Sequence, residues 1–380
     1  MKRIYLDNAA TTPLDREVLD TMIPYLTEIY GNADSPHQTG RKAMSAVDIA
    51  RDKVAKLLSA TAKEIYFTSG GTESDNFAMI GVAKAMKKEG RDKIILSSIE
   101  HHACLSSAER LQKDGFEVVY LPVDKGGRVE INALKQAMDN RVALVCVMAC
   151  NNETGVMQPI EECVEIAHNY GAYFFTDAVQ LAPHKKIDVK KLKVDLLSIS
   201  SHKFYGPKGV GALYIKNGVK TQPLVGGGEQ ERGLRGGTLN VAGIVGLANA
   251  YEKAMKTAEE TDKKLKALNR LFLEELAELD GVEINGDREY ALSSILNLRF
   301  SGVENTTLLY NLDLQGVSLS AGSACASASV KPSHVLTAMG LDERAIKESV
   351  RVSFGKYNTE EEAVWVAGVI KETVKRLRDC

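Results

Sequence analysis

The sequence predicts an α/β fold: a mostly parallel β-sheet covered by helices on both faces, followed by a second, smaller α+β unit. Three observations predict it. Short apolar runs alternate with longer amphipathic stretches from Glu64 to Lys216. A long run rich in Ala, Glu, Lys and Leu then extends from about Asn240 to Leu279. Beyond it, strand-like and helix-like stretches resume as a separate set. With 380 residues, 44% of them hydrophobic, the chain has apolar material for two cores.

The apolar runs come in order as "EIYFTS", "KIILSS", "EVVYLPV", "VALVCVMAC", "YFFTD", "LLSIS" and "GVGALYIK". Each is short and rich in β-branched or aromatic residues, which suits a strand. Between them, Ala103–Lys113 and Ile160–Tyr170 carry apolar residues at helical spacing. The run from Asn240 reads as one long helix connecting the two units. After it come "SSILNLRF", a helix near Thr306–Leu314, the Ser/Ala/Gly run Val317–Pro332, "SVRVSFG" and a final amphipathic helix. The Ser/Ala/Gly run reads as a loop. No internal repeat is visible.

Lys and Arg total 48 and Asp and Glu total 50, a net charge of −2. That balance argues against a nucleic-acid-binding or membrane-surface protein. The start, "MKRIYLDNAATTP", turns polar too soon for a signal peptide. No apolar run is long enough for a membrane span. Six irregularly spaced cysteines do not form a disulfide framework, so the chain reads as cytoplasmic and reduced. Cys146 and Cys150 read as one buried strand, roughly 13 Å apart and too far to bridge.

Lys203 stands in "SISSHKFYGPKGVGALY", where a strand gives way to a Gly/Pro turn. A lysine there is commonly a surface residue. Its polar and aromatic flanks suit instead a lysine held in a site as a nucleophilic amine. Pyridoxal 5'-phosphate (PLP) on such a lysine needs an acid for its ring nitrogen, a phosphate cradle and a stacking ring. Asp177, at the end of "YFFTD", is the candidate acid, or else a helix cap. "TSGGTESDN", with Gly70, Gly71 and Thr72, is the candidate cradle, or else a plain helix start. It is no P-loop, since no Gly-Lys-Ser/Thr follows. His101 in "SSIEHHACL" is the candidate stacking ring. The rival reading of His101, His102 and Cys104 as metal ligands lacks a second ligand cluster, because the other five histidines are scattered.

These motifs occur in order with "YLDNAATTP", "NNETGVMQPI", "GLRGGTLN", "SAGSACASAS" and "SVRVSFG". Together they resemble the cysteine desulfurases of the NifS/IscS type, within the class V aminotransferases, over nearly the whole chain. The resemblance implies the PLP-dependent aspartate-aminotransferase-like fold (type I), with a mostly parallel seven-stranded sheet. It implies a large PLP-binding domain at 16–249. A small domain at 1–15 and 250–380 would carry a mobile cysteine loop at 317–332.

It implies Lys203 as covalent anchor of the cofactor, Asp177 at the pyridine nitrogen and His101 stacked on the ring. Gln180 and Asn152 would meet the ring hydroxyl. Gly71, Thr72, Ser200 and His202 would hold the phosphate, and Thr238 would reach the phosphate of the other subunit of a homodimer. Arg351, with Asn152, would bind the substrate carboxylate. The sequence departs from the family's Gly-Gly-Gly-Gln-Glu at Glu229.

The implied reaction converts L-cysteine to L-alanine and leaves the sulfur as a persulfide on Cys325. Lys203, Cys325 and His101 form the catalytic set. Among the other thiols, Cys104 is the serious rival, being next to His101. Sulfur would pass to an iron–sulfur scaffold or a tRNA-thiolating enzyme. No resident metal is expected, beyond a transient iron–sulfur contact at Cys325. Two alternatives stand: a selenocysteine lyase or other PLP lyase of the same fold, and an inactive sulfur-pathway scaffold.

Overall fold

The computed structural model describes residues 3–322 and 332–379. Seven strands form the main sheet: β2 (Ile65–Thr68), β3 (Lys93–Ser97), β4 (Glu117–Leu121), β5 (Val142–Cys146), β6 (Tyr173–Asp177), β7 (Leu196–Ser200) and β8 (Gly211–Ile215). Their order is β2-β8-β7-β6-β5-β3-β4. Only β8 runs antiparallel to its neighbours. β3, β5, β7 and β8 are buried along their whole length. Strands covered on both faces need continuous apolar sequence, which is why these runs do not alternate. One face packs on the core that holds Val145, Phe174 and Leu197; the other packs on Leu144, Phe175 and Leu196.

The chain leaves β3 toward the β4 edge and returns to β5 on the opposite side of β3. Strand order therefore reverses between β3 and β5. Crevices for ligands open beyond the carboxyl ends of strands at such a reversal.

A second core joins Ile4 and Leu6 to Leu265, Phe272, Leu298, Val350 and Ile370. It is built on the antiparallel strands β9 (Val282–Asn285), β10 (Ile295–Phe300) and β12 (Ser349–Ser353). Helices Ala258–Leu276 and Glu360–Arg378 cover it. The N-terminal strand β1 (Ile4–Tyr5) pairs in parallel with β11 (Val317–Ser318).

Three expectations need correction. The run from Asn240 to Leu279 is two helices, Val241–Lys256 and Ala258–Leu276, broken at Thr257 (φ −108°, ψ 6°). The first helix buries Ala248 and Tyr251 in the large core, while the second buries Leu265 and Phe272 in the small one. A single straight helix does not reach both, and the Thr257 hydroxyl bonds back to the Lys253 carbonyl at the break. The Ser/Ala/Gly loop begins later than Val317, because Val317 and Ser318 are strand and Ser320 bridges Arg351. Cys150 is not on the strand of Cys146. Beyond β5 the Met148 N–H turns to the buried Glu100 carboxylate, and Cys150 bridges Met157.

Candidate active site

Lys203 ends a single 3₁₀ turn, Ser201–Lys203, directly after β7. Its Nζ donates to the carbonyl oxygens of Ala9 (2.5 Å) and Ala10 (3.0 Å). The N-terminal segment is laid over this turn by Thr12, whose N–H and hydroxyl both donate to the His202 carbonyl. The His202 ring meets the Thr11 hydroxyl at 3.1 Å. Burial, then Lys203 and Lys208, push His202 down to about 4, so its ring is neutral at neutral pH.

Asp177 closes β6, and its Oδ1 accepts the Val179 N–H at 2.8 Å. The residues that follow form turns and no regular helix, so Asp177 is not a helix cap. Burial raises its carboxyl to about 6, opposed by the Val179 N–H and by Lys203. Asp75, 1% exposed, accepts the Ser198 hydroxyl at 2.6 Å. Burial first, and Asp177 second, hold Asp75 well above the usual carboxylate range. The sequence reading missed Asp75. It lies four residues after Gly71, and that spacing places the two on one helix face.

The helical stretch that begins at Gly71 runs through a π segment to Lys87. Gly71 is tight against its surroundings: a Cβ there would lie 3.0 Å from Val179 Cγ2 and 3.5 Å from Ser200 Cβ. His101 caps the helix His102–Lys113 by accepting the Ala103 N–H on Nδ1, which puts the proton of the neutral ring on Nε2. Burial and then Lys203 lower His101 to about 4. Gln180 Nε2 donates to the Ala9 carbonyl at 2.8 Å. Arg351, at the middle of β12, is 1% exposed and donates through Nη1 to the Asn152 carbonyl at 2.8 Å.

Gly71, Thr72, His101, Asn152, Asp177, Gln180, Ser200, His202, Lys203 and Arg351 line one cavity of about 200 Å³. They come from the last residues of β6 and β7, from the segments that follow β2, β3, β5, β6 and β7, and from β12. Ala9, Ala10, Asp75, Met148 and Val179 complete the lining. Thr238 is exposed and is not part of this cavity within one chain. Cys325 lies outside the described residues.

Behind the site, the described residues hold a group of ligand-type atoms that sequence spacing did not reveal. Glu100, Cys104 and Cys146 bring theirs within 4.8 Å of one another, all buried. Burial raises the Cys146 thiol to about 12. The neighbouring Cys146 and burial hold Cys104 well above the ordinary thiol range. Both are protonated at neutral pH, so Cys104 presents no thiolate to the cavity.

The donor set fits PLP. It offers an amine, an acid at a strand end, an imidazole, and a small residue with backbone N–H groups where a helix starts. The Aminotransferase class-V family profile matches residues 4–364. The chain belongs to the class-V aminotransferase family.

This class-V chain is 48% identical over 381 residues to the "Cysteine desulfurase IscS" of Clostridium botulinum, covering 100% of this chain and 96% of the relative. It is 48% identical over 378 residues to the protein of that name in Methanosarcina thermophila, covering 100% and 93%. A solved "NifS-like protein" superposes with a TM-score of 0.93 at 40% identity, covering 98% of this chain and 100% of that one. Among the described residues of the class-V chain, no helix is long and apolar enough to cross a membrane.

Proposed function

We propose that this chain is a PLP-dependent cysteine desulfurase that takes sulfur onto Cys325. The observation that carries the reading is the convergence of Lys203, Asp177, His101 and Arg351 on one cavity in a chain so similar to proteins named for that activity. The overall reaction is L-cysteine plus the Cys325 thiol, giving L-alanine plus the Cys325 persulfide. The S–S bond forms as the substrate's C–S bond breaks, and no outside oxidant or reductant is needed.

When bound, PLP supplies the electron sink that labilises the substrate Cα proton and opens the substrate sulfur to attack. Lys203 Nζ anchors the cofactor, then takes and returns that proton. Asp177 keeps a proton on the ring nitrogen by pairing with it. The neutral His101 ring stacks on the cofactor face and adds no charge there. Gly71, Thr72, Ser200 and His202 hold the phosphate, with Thr238 contributed across a homodimer. Gln180 and Asn152 meet the ring hydroxyl. Arg351 and Asn152 take the substrate carboxylate, a role that suits the guanidinium fork. The cofactor-binding domain extends past the expected boundary at 249 to the break at Thr257, because Tyr251 and Met255 sit in the large core. Residues 1–15 with the chain beyond Thr257 form the smaller domain, from which Val335 and Ile346 pack back on the large core. Sulfur then passes from Cys325 to an iron–sulfur scaffold or a tRNA-thiolating enzyme.

The test is Cys325→Ala. The variant is expected to keep bound cofactor and to bind cysteine, yet to form almost no alanine or sulfide. Alanine and sulfide at the parent rate would remove Cys325 from the reaction.

A further inference from the structure

Arg351 is gripped by a second residue that lies outside the cavity lining. Its Nη2 donates to Asp7 Oδ1 at 2.6 Å, while Nη1 donates to the Asn152 carbonyl at 2.8 Å. Among the described residues, Arg351 Nε is buried without a partner. A guanidinium has five N–H donors in one plane, so two anchors fix that plane and leave donors over. A carboxylate has two oxygens and takes two such donors at once.

Asp7 is itself held in place. It bridges Ser353 in parallel, the Tyr5 hydroxyl donates to its carbonyl at 2.9 Å, and the Ser353 N–H donates to the Leu6 carbonyl. The carboxylate is thus presented to Arg351 from a strand edge and not from a free loop. Arg351 lines the cavity and Asp7 does not. The charge of a buried guanidinium also has to be paired, and Asp7 pairs it before any substrate arrives.

We propose that Asp7 is the positioning residue of the carboxylate site: it holds the Arg351 fork so that the remaining donors meet the substrate's α-carboxylate. The proposal rests on the assignment of Arg351 in the desulfurase reading. Asp7 touches neither substrate nor cofactor. It acts through Arg351 by hydrogen-bond geometry. The consequence is selective, because loss of Asp7 weakens ligands that have a carboxylate and spares amines that lack one.

The experiment uses the cofactor-loaded protein and titrates its visible absorbance with L-alanine and with ethylamine, which differ only by the carboxylate. Loss of a charge-assisted hydrogen bond in Asp7→Ala should raise half-saturating L-alanine by about tenfold, with ethylamine unchanged. Asp7→Asn keeps an acceptor oxygen without the charge and should shift L-alanine about threefold, again sparing ethylamine. In turnover, Asp7→Ala should raise the KM for L-cysteine and leave kcat nearly unchanged. If Asp7→Ala does not fold, Asp7→Asn carries the test alone. Either variant moving both ligands by the same factor, or moving neither, overturns the proposal. A parent protein that binds both ligands but makes no alanine from cysteine sinks the desulfurase reading instead, since the titration needs no turnover.

Discussion

Lys203 Nζ lies 2.5 Å from the carbonyl oxygen of Ala9, a residue 194 positions earlier in the chain. The Ala10 carbonyl is the second acceptor. The N-terminal "NAATT" segment therefore forms a wall of the lysine's site and is no mere leader to the fold. Gln180 strengthens the wall by donating to the same Ala9 oxygen.

The first prediction concerns that lysine. Lys203→Ala should abolish the visible band of covalently held cofactor and all turnover. Its Nζ hydrogen bonds to the Ala9 and Ala10 carbonyls lie at the edge of the cavity, so losing them should change stability by no more than about 1–2 kcal/mol. The absorbance spectrum and a urea melt check the two halves separately. A spectrum identical to the parent's would exclude Lys203 as anchor.

The alternation of strands and helices was legible because buried parallel strands must read as continuous apolar runs. The grouping of Lys203, Asp177 and the Gly70–Thr72 turn was legible for a related reason. Each stands where a strand ends, and such ends converge in a sheet whose order reverses. Asp75 and Glu100 were not legible. Each is a charged-type residue within a helix or a polar turn, and nothing in its neighbours in sequence marks it as fully buried. The break at Thr257 was hidden too, since the helical composition continues across it and only the two separate cores require the bend. The Arg351–Asp7 pair joins residues 344 positions apart, and no local pattern reports such a contact.

Glu100 gives a pH prediction. Its carboxyl is buried and raised to about 8 by that burial, against hydrogen bonds from Ser97 and the Met148 N–H. The folded state thus favours the protonated form relative to the unfolded chain. That contribution is fully present below about pH 4.5 and is lost as the pH rises through about 8. Glu100→Gln keeps an acceptor and removes the titration. Denaturant melts should show the parent losing stability between pH 5 and 8, by an order of a few kcal/mol, and the variant losing less, with the raised carboxyls of Asp75 and Asp177 still titrating in both. Equal slopes for both would refute the assignment.

The histidines act in the opposite direction. His101, His184 and His202 are each lowered to about 4, burial being the largest cause in every case. The unfolded chain binds their protons first, so stability falls as the pH drops from about 6.5 toward 4. Nuclear magnetic resonance of the imidazoles should find all three neutral at pH 6. A charged His101 or His202 at that pH would contradict the neutral-ring reading of the site.

Arg51 and Glu231 form a buried bidentate pair, with both N–H···O distances 2.7 Å. Glu231 also accepts the Phe67 N–H, and it sits at φ +46°, followed by Arg232 at φ +59°. Such left-handed backbone is unfavourable for these residues and persists only where contacts hold it. Arg51→Ala leaves the Glu231 carboxylate buried with no guanidinium. The expected loss is about 3–5 kcal/mol in a urea melt. A loss below about 1 kcal/mol would show that the pair contributes little to this turn.

Gly71 offers the sharpest test of the cofactor cradle. A Cβ at this position would stand 3.0 Å from Val179 Cγ2, closer than side chains normally pack, and 3.5 Å from Ser200 Cβ. Val179 follows closely on Asp177, and Ser200 ends the strand before Lys203, so neither neighbour can retreat without moving the site. Gly71→Ala should therefore fold, because φ at this position is not left-handed and alanine suits the first turn of a helix. The added methyl should nonetheless displace Val179 and narrow the phosphate end of the cavity. Affinity for added PLP, followed by equilibrium absorbance, should fall by at least about tenfold, while the thermal midpoint of the cofactor-free protein changes by only a few degrees. Unchanged affinity would place the phosphate elsewhere in the cavity, and a collapse of the cofactor-free protein would mean that Gly71 serves packing before it serves the ligand.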